Sequence, residues 1–254
     1  MKIFSKIWKV LRWVLLGLFI ILAVAAVCFK IYTGNYYRAN EETIEDFAGS
    51  YSTVHSYSDD NGTVFIPTED EIKAVIVFYP GGKVEYTAYS PLMYELADRG
   101  YLCLLPRMPE NLAFLRIDAV DKLTAGWDEE AATVEHLDWY LAGHSLGGVA
   151  ASVYLGEDDS YRGLILCGSY TATDFSESDI RLLSIFGEKD GVISRENYEE
   201  SKTFWPEDSE EYVIEGGIHS YFGSYGIQDG DGEPGITNEQ QITETADVIS
   251  HWIG

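Results

Sequence analysis

The stretch Trp139–Leu155 constrains this chain most. It reads WYLAGHSLGGVAASVYL: a short apolar run, a serine between glycines, then a run of small and apolar residues. A short apolar run bounded by turn residues suits a buried strand, and the longer run that follows suits a closely packed helix. Gly143-His144-Ser145-Leu146-Gly147 therefore places G-x-S-x-G on a strand-to-helix turn. A serine on so tight a turn adopts strained backbone geometry, and the neighbouring glycines remove side chains that would clash. The turn also opens a helix, whose free N–H groups and dipole favour negative charge. The pentapeptide alone is a weak signal, equally compatible with a glycine-rich helix start. Its setting makes Ser145 a candidate nucleophile.

A serine hydroxyl attacks poorly without a base, and the base needs a carboxylate to orient it. At elbows of this kind the partners follow in the order serine, acid, histidine. Asp190 lies in Gly187-Glu188-Lys189-Asp190-Gly191, directly after the apolar run LLSIF, with Glu188 as the alternative acid. His219 follows YVIEGGI and is the only histidine between the elbow and the last helical stretch. His55, His136, His144 and His251 read as surface or packing residues. An oxyanion site needs two backbone N–H groups. Leu146 supplies one, and the loop Pro80-Gly81-Gly82-Lys83-Val84 supplies the other through Gly82 or Lys83.

From Lys73 onward strands and helices alternate, which predicts an α/β fold with a mostly parallel central sheet and helices on both faces. The expected strands are Ala74–Tyr79, Tyr101–Pro106, Trp139–Gly143, Leu164–Cys167, Leu182–Phe186 and Tyr212–Glu215. The expected helices are Ala88–Arg99, Asp128–Leu137, Leu146–Leu155, Ser194–Phe204 and Glu239–Ile253. Thr53–Ser58 and Thr63–Pro67 read as a hairpin around Asn61-Gly62.

Ahead of this body, Trp13–Phe29 is a run of 17 uncharged, mostly apolar residues. That is the short end of what spans a bilayer, and it exceeds the core of a signal peptide, roughly 7–15 residues. Lys2, Lys6, Lys9 and Arg12 precede it, which puts the N-terminus in the cytoplasm and the rest outside. The competing reading is cleavage near Ala23-Val24-Ala25. The expected organisation is a cytoplasmic tip and transmembrane anchor over 1–33, a polar linker with one short helical stretch over 34–50 and one domain over 51–254.

The formal net charge is −25, and every one of the 42 acidic residues lies beyond Arg38. A body so acidic is repelled by phosphate backbones, which excludes nucleic-acid binding. The 3 cysteines cannot all pair within one chain; Cys103 and Cys167 fall in apolar strands, and no spacing suggests zinc. Asp229-Gly230-Asp231-Gly232-Glu233 superficially resembles a calcium loop but does not complete an EF-hand and reads as structural. No metal or organic cofactor is expected. The partners expected are a small acyl substrate and the membrane, and the oligomeric state is open.

The stretches FYPGGKVE, LLPRMPENLAF, GHSLGG and GGIHSYFGSYGIQDGDG resemble the α/β-hydrolase superfamily, over roughly residues 72–254. The chain is similar there to compact bacterial members related to dienelactone hydrolases, and more closely resembles a group of small membrane-anchored bacterial hydrolases of largely undefined substrate. The resemblance implies a Ser145–His219–Asp190 triad and carboxylesterase-like chemistry through an acyl-enzyme. Two departures matter. Tyr79-Pro80-Gly81 stands where His-Gly is frequent, and position 145 is serine where dienelactone hydrolases use cysteine, so their specificity does not transfer. Only Thr171–Ile180 occupies the place where lid domains are inserted, so no large lid is expected. Tyr86, Met108, Leu112, Phe114, Tyr221 and Phe222 are candidates to line an acyl pocket, with core packing as the bland alternative. Acyl transfer by the same triad, or a non-catalytic surface module, are the other readings.

Overall fold

The computed structural model describes residues 2–69, 71–127, 133–158 and 160–254. The chain forms two compact units, Met1–Tyr36 and Tyr37–Gly254. The first is the helix α1, Lys2–Gly34. Its stretch Leu11–Gly34 holds 24 residues, and the most apolar 18-residue window within it has a mean hydropathy of 2.8 and is not buried. At a rise of about 1.5 Å per residue it is long enough to cross a hydrocarbon core of about 30 Å.

The second unit is built on a sheet. Its strands are β1 Val54–Asp59, β2 Gly62–Pro67, β3 Ala74–Tyr79, β4 Tyr101–Pro106, β5 Trp139–His144, β6 Gly163–Cys167, β7 Arg181–Gly187 and β8 Ser209–Ile214. Their spatial order is β1-β2-β4-β3-β5-β6-β7-β8. β1 and β2 pair antiparallel, with Asp59 opposite Gly62 as the Asn61-Gly62 turn predicts. β2 pairs antiparallel with β4, and every later pairing is parallel.

Side chains alternate across the sheet, as strand geometry requires. Ile76, Phe78, Cys103, Ala142, Ile165 and Ile185 join one core with residues of α3 (Ser90–Asp98) and the closing helix, Asn238–Ile253. Val75, Val77, Leu104, Leu141, Leu164 and Leu166 join a second core with α4 (Ala119–Leu123) and α5 (Leu146–Leu155). A strand buried on both faces reads as a continuous apolar run, which is why AVIVFY stands out in the sequence. Each buried Val, Leu, Ile or Phe of these cores contributes about 1.5–3 kcal/mol by leaving water.

The structure departs from expectation in four places. Residues 37–50 are not a linker. Tyr37 pairs with the loop after β3, its N–H donating to Lys83 O at 2.8 Å and its carbonyl accepting from Glu85 N at 2.9 Å. The helix α2, Glu41–Ser50, is capped by Asn40, whose side chain accepts from Thr43 N, and it buries Phe47 in the first core. The helix expected from Ala88 begins as a tight turn at Tyr86–Tyr89, and α3 starts at Ser90-Pro91, where proline suits the first helical turn. The stretch expected to be helical over Ser194–Phe204 is α6, Arg195–Ser201, followed by a 3-10 turn at Lys202–Phe204. β8 starts at Ser209, earlier than expected, because its acidic residues face solvent at a sheet edge, where charge discourages pairing with other chains. Part of the acidic helix expected over 128–137 lies outside the described residues. The closing helix, α7, opens with a reciprocal cap between Thr237 and Gln240.

Candidate active site

The residues singled out in the sequence all follow the carboxyl ends of strands, where open α/β sheets bind ligands. Gly82 follows β3, Ser145 follows β5, Asp190 follows β7 and His219 follows β8.

Ser145 sits at φ 52°, ψ −127°, left-handed backbone that a side chain tolerates only under constraint. Its N–H donates to Cys167 O at 3.0 Å, and its carbonyl accepts the Ser169 hydroxyl at 2.6 Å. A Cβ at Gly143 would fall 2.6 Å from Gly148 N, so the turn closes only over glycine. Strain of this kind costs about 1–3 kcal/mol and persists because its surroundings over-determine it.

Asp190 and His219 meet in the interior. Asp190 Oδ2 lies 2.8 Å from His219 Nδ1, and both residues are buried. Asp190 Oδ1 accepts the N–H groups of Val192 and Ile193, each at 2.9 Å. A carboxylate only accepts, so Nδ1 carries the proton and Nε2 presents its lone pair. Nε2 is buried and makes no hydrogen bond among the described residues, to Ser145 or to any other. Glu188, the alternative acid, is exposed, and it accepts the Gly216 N–H at 2.9 Å instead.

A second carboxylate fixes the loop that carries His219. Asp231 Oδ1 accepts from His219 N at 3.2 Å, Gly191 N at 3.2 Å and Gly232 N at 2.8 Å. Its Oδ2 accepts from Ser220 N at 2.7 Å and the Ser220 hydroxyl at 2.6 Å. Burial would raise its pKa, but the donors from Ser220, Gly191 and Gly232 outweigh it and hold the carboxyl below its ordinary value. The sequence reading missed this role, because a DGDG loop gives no hint of which distant amides it will bind.

Of the two loop amides considered for an oxyanion site, Lys83 is ruled out as donor: its N–H is bonded to Asn111 O at 2.7 Å. The N–H groups of Gly82 and Leu146 have no hydrogen-bond partner among the described residues. Leu146 is the first residue of α5, where N–H groups are unpaired by geometry. The Gly82 backbone lies against the Leu146 side chain, since a Cβ at Gly82 would fall 2.8 Å from Leu146 Cδ2.

The remaining histidines divide. His55, His136 and His251 are exposed. His144 is fully buried and packs against His219, ring centroids 4.5 Å apart. Two residues considered for an acyl pocket belong to the core instead: Phe222 lies fully buried 5.5 Å from the His144 ring, and Met108 is buried in the second core. Tyr86, Leu112 and Tyr221 are half-buried, and Phe114 is exposed. Burial pushes the thiols of Cys103 and Cys167 far up, so both stay protonated and unreactive.

Sheet order, strained turn and strand-end placement describe one class of fold, and the comparison with known families names it. The chain belongs to the alpha/beta hydrolase family, whose model matches residues 75–243. No curated protein shows a significant match to it.

Proposed function

We propose that the protein is a serine hydrolase that cleaves a small carboxylic ester or related acyl compound through an acyl-enzyme. One observation carries the reading: a buried His219–Asp190 pair, 2.8 Å apart, presents an unpartnered Nε2 at the rim where the strained Ser145 sits. His219 Nε2 takes the Ser145 proton as Oγ attacks the carbonyl carbon. Base assistance of this kind contributes about 10²- to 10⁴-fold. The N–H groups of Gly82 and Leu146 receive the oxyanion, and one such donor is worth about 2.7–4 kcal/mol. The intermediate collapses, His219 gives its proton to the departing alkoxide, and the acyl group stays on Ser145. Water, deprotonated by the same Nε2, then releases the acid and restores the hydroxyl. Asp190 holds the ring and stabilises its cationic form throughout.

The small size of the ester is supported by the rim. Residues 168–180 join β6 to β7 without a helix, so no inserted layer covers the strand ends there. For α1 we read a membrane anchor with the N-terminus cytoplasmic and the catalytic domain on the other side. Support comes from the length of the helix and the basic residues that precede it.

The test is labelling of the full chain in detergent with a fluorophosphonate probe, alongside turnover of short-chain nitrophenyl esters. Ser145→Ala should abolish labelling and lower turnover by about 10⁴-fold or more. Equal labelling of wild type and variant would end the reading.

A further inference from the structure

We infer that His144 is a positioning residue of this site, holding the oxyanion loop through Tyr89 and the base through the His219 carbonyl. The inference rests on the serine-hydrolase reading above. His144 stands beside the nucleophile but takes no part in the triad, and both of its ring nitrogens are engaged. Nε2 lies 3.0 Å from His219 O, and Nδ1 lies 2.8 Å from the Tyr89 hydroxyl. That hydroxyl is itself 3.0 Å from Gly81 N.

The direction of every bond in this chain follows from elementary chemistry. A carbonyl oxygen only accepts, so His144 Nε2 carries hydrogen. The ring is fully buried beside His219, which keeps it neutral, so Nδ1 is a bare lone pair. The Tyr89 hydroxyl must therefore donate to Nδ1, which leaves its oxygen to accept the Gly81 N–H. The result is one relay: Gly81 N–H to Tyr89, Tyr89 O–H to His144, His144 Nε2–H to His219 O. Its two ends lie far apart in sequence. One is the residue next to Gly82, and the other is the backbone of the base itself.

The surroundings leave the relay little freedom. A Cβ at Gly81 would fall 2.7 Å from both His144 Nδ1 and the Tyr89 oxygen, so the loop can sit this close only as glycine. Tyr89 is fully buried, tilted against Phe78 at 5.2 Å between ring centroids, and Phe222 backs the His144 ring. Rotation of either ring would leave a buried donor or acceptor unpaired, at a cost of about 1–3 kcal/mol. A neutral relay also places no second charge beside His219, whose ring must become cationic during turnover. The relay thus sets two distances at once: oxyanion amide to Ser145, and base to Ser145. A misplacement of about 1 Å in such a constellation costs on the order of 10²-fold in rate.

The experiment uses the full chain in detergent, with active sites counted by fluorophosphonate titration so that kcat refers to folded protein only. Tyr89→Phe removes one oxygen and keeps the ring, and His144→Phe removes both bonds. Each should lower kcat by about 10- to 100-fold while KM changes by less than about threefold. His144→Gln keeps a donor for the His219 carbonyl and should recover part of the loss. The double variant Tyr89→Phe/His144→Phe should be no slower than His144→Phe alone, because the two side chains act through one chain of bonds. A purely structural role would instead lower the count of active sites and the melting temperature, with kcat per titrated site intact. The inference is overturned if Tyr89→Phe, which folds most readily, keeps kcat per site within about twofold of wild type. If wild type itself is not labelled, the serine-hydrolase reading falls, and this inference falls with it.

Discussion

Asp190 and Asp231 both reach His219, the first at the imidazole Nδ1 at 2.8 Å, the second at the backbone N–H at 3.2 Å. The handles differ, and so does the physics. A bond to the ring strengthens when the ring gains a proton, because it becomes charge-assisted. A bond to the amide is indifferent to the charge of the ring. In the proposed mechanism Asp190 is therefore suited to follow the reaction, whereas Asp231 fixes the loop that carries His219. Asp231 also takes the N–H of Gly191, next to Asp190, so it ties the acid loop to the histidine loop. In the proposed mechanism one carboxylate supports chemistry and the other supports geometry, although both are aspartates within reach of the same residue.

The comparison breaks most visibly at Asp190. Replacing it with alanine should lower kcat by about 10³- to 10⁴-fold with little change in KM, as steady-state assays on titrated enzyme would read. A loss of tenfold or less would mean that the ring does not depend on this carboxylate. Asp231→Asn should act less on rate and more on stability. An amide offers one accepting oxygen where the carboxylate uses two, so at least one donor is orphaned. The expected outcome is a melting temperature lower by roughly 2–10 °C, with kcat reduced about tenfold or less.

The same pair sharpens with pH. The pKa of Asp231 is held below its ordinary value in the folded protein. Its contribution to stability is thus fully present above the unfolded value of about 3.9 and is lost as pH falls through the folded value. Denaturation midpoints followed from pH 6 down to pH 3 should fall more steeply for wild type than for Asp231→Asn. Parallel curves would show that the carboxylate is not the group that titrates. The smallest effect is expected at Glu188, which accepts the Gly216 N–H rather than the imidazole. Glu188→Ala should keep kcat within about twofold, and a larger loss than at Asp190 would exchange their roles.

The contrast also explains what could be read from the sequence. Ser145 and Asp190 each directly follow an apolar strand and His219 follows the short apolar run YVI within a few residues, so a local pattern marks them, and their order does the rest. Asp231, Tyr89 and Gly81 are defined by what they bind across the fold. No local pattern tells an Asp-Gly loop that it will meet the amides of residues 191, 219 and 220. The choice between Gly82 and Lys83 stayed open for the same reason, since it turns on whether Asn111 O occupies the Lys83 N–H. Residues 37–50 misled because their acidic composition hides a buried aromatic, Phe47, and the backbone bonds of Tyr37 and Asn40 that dock the segment with it. Phe222 and Met108 could equally have lined a pocket or filled a core, and only packing decides between those fates.

Tyr37 is the first residue of the folded body, and it holds the loop carrying Gly82 by two backbone bonds, to Lys83 and to Glu85. The place where the body begins is therefore also a fastening of the rim proposed to carry the reaction. A cut ahead of residue 37 leaves both fastenings whole, whereas a cut just beyond it removes them together. Detachment and damage are separated along the polypeptide by a single position.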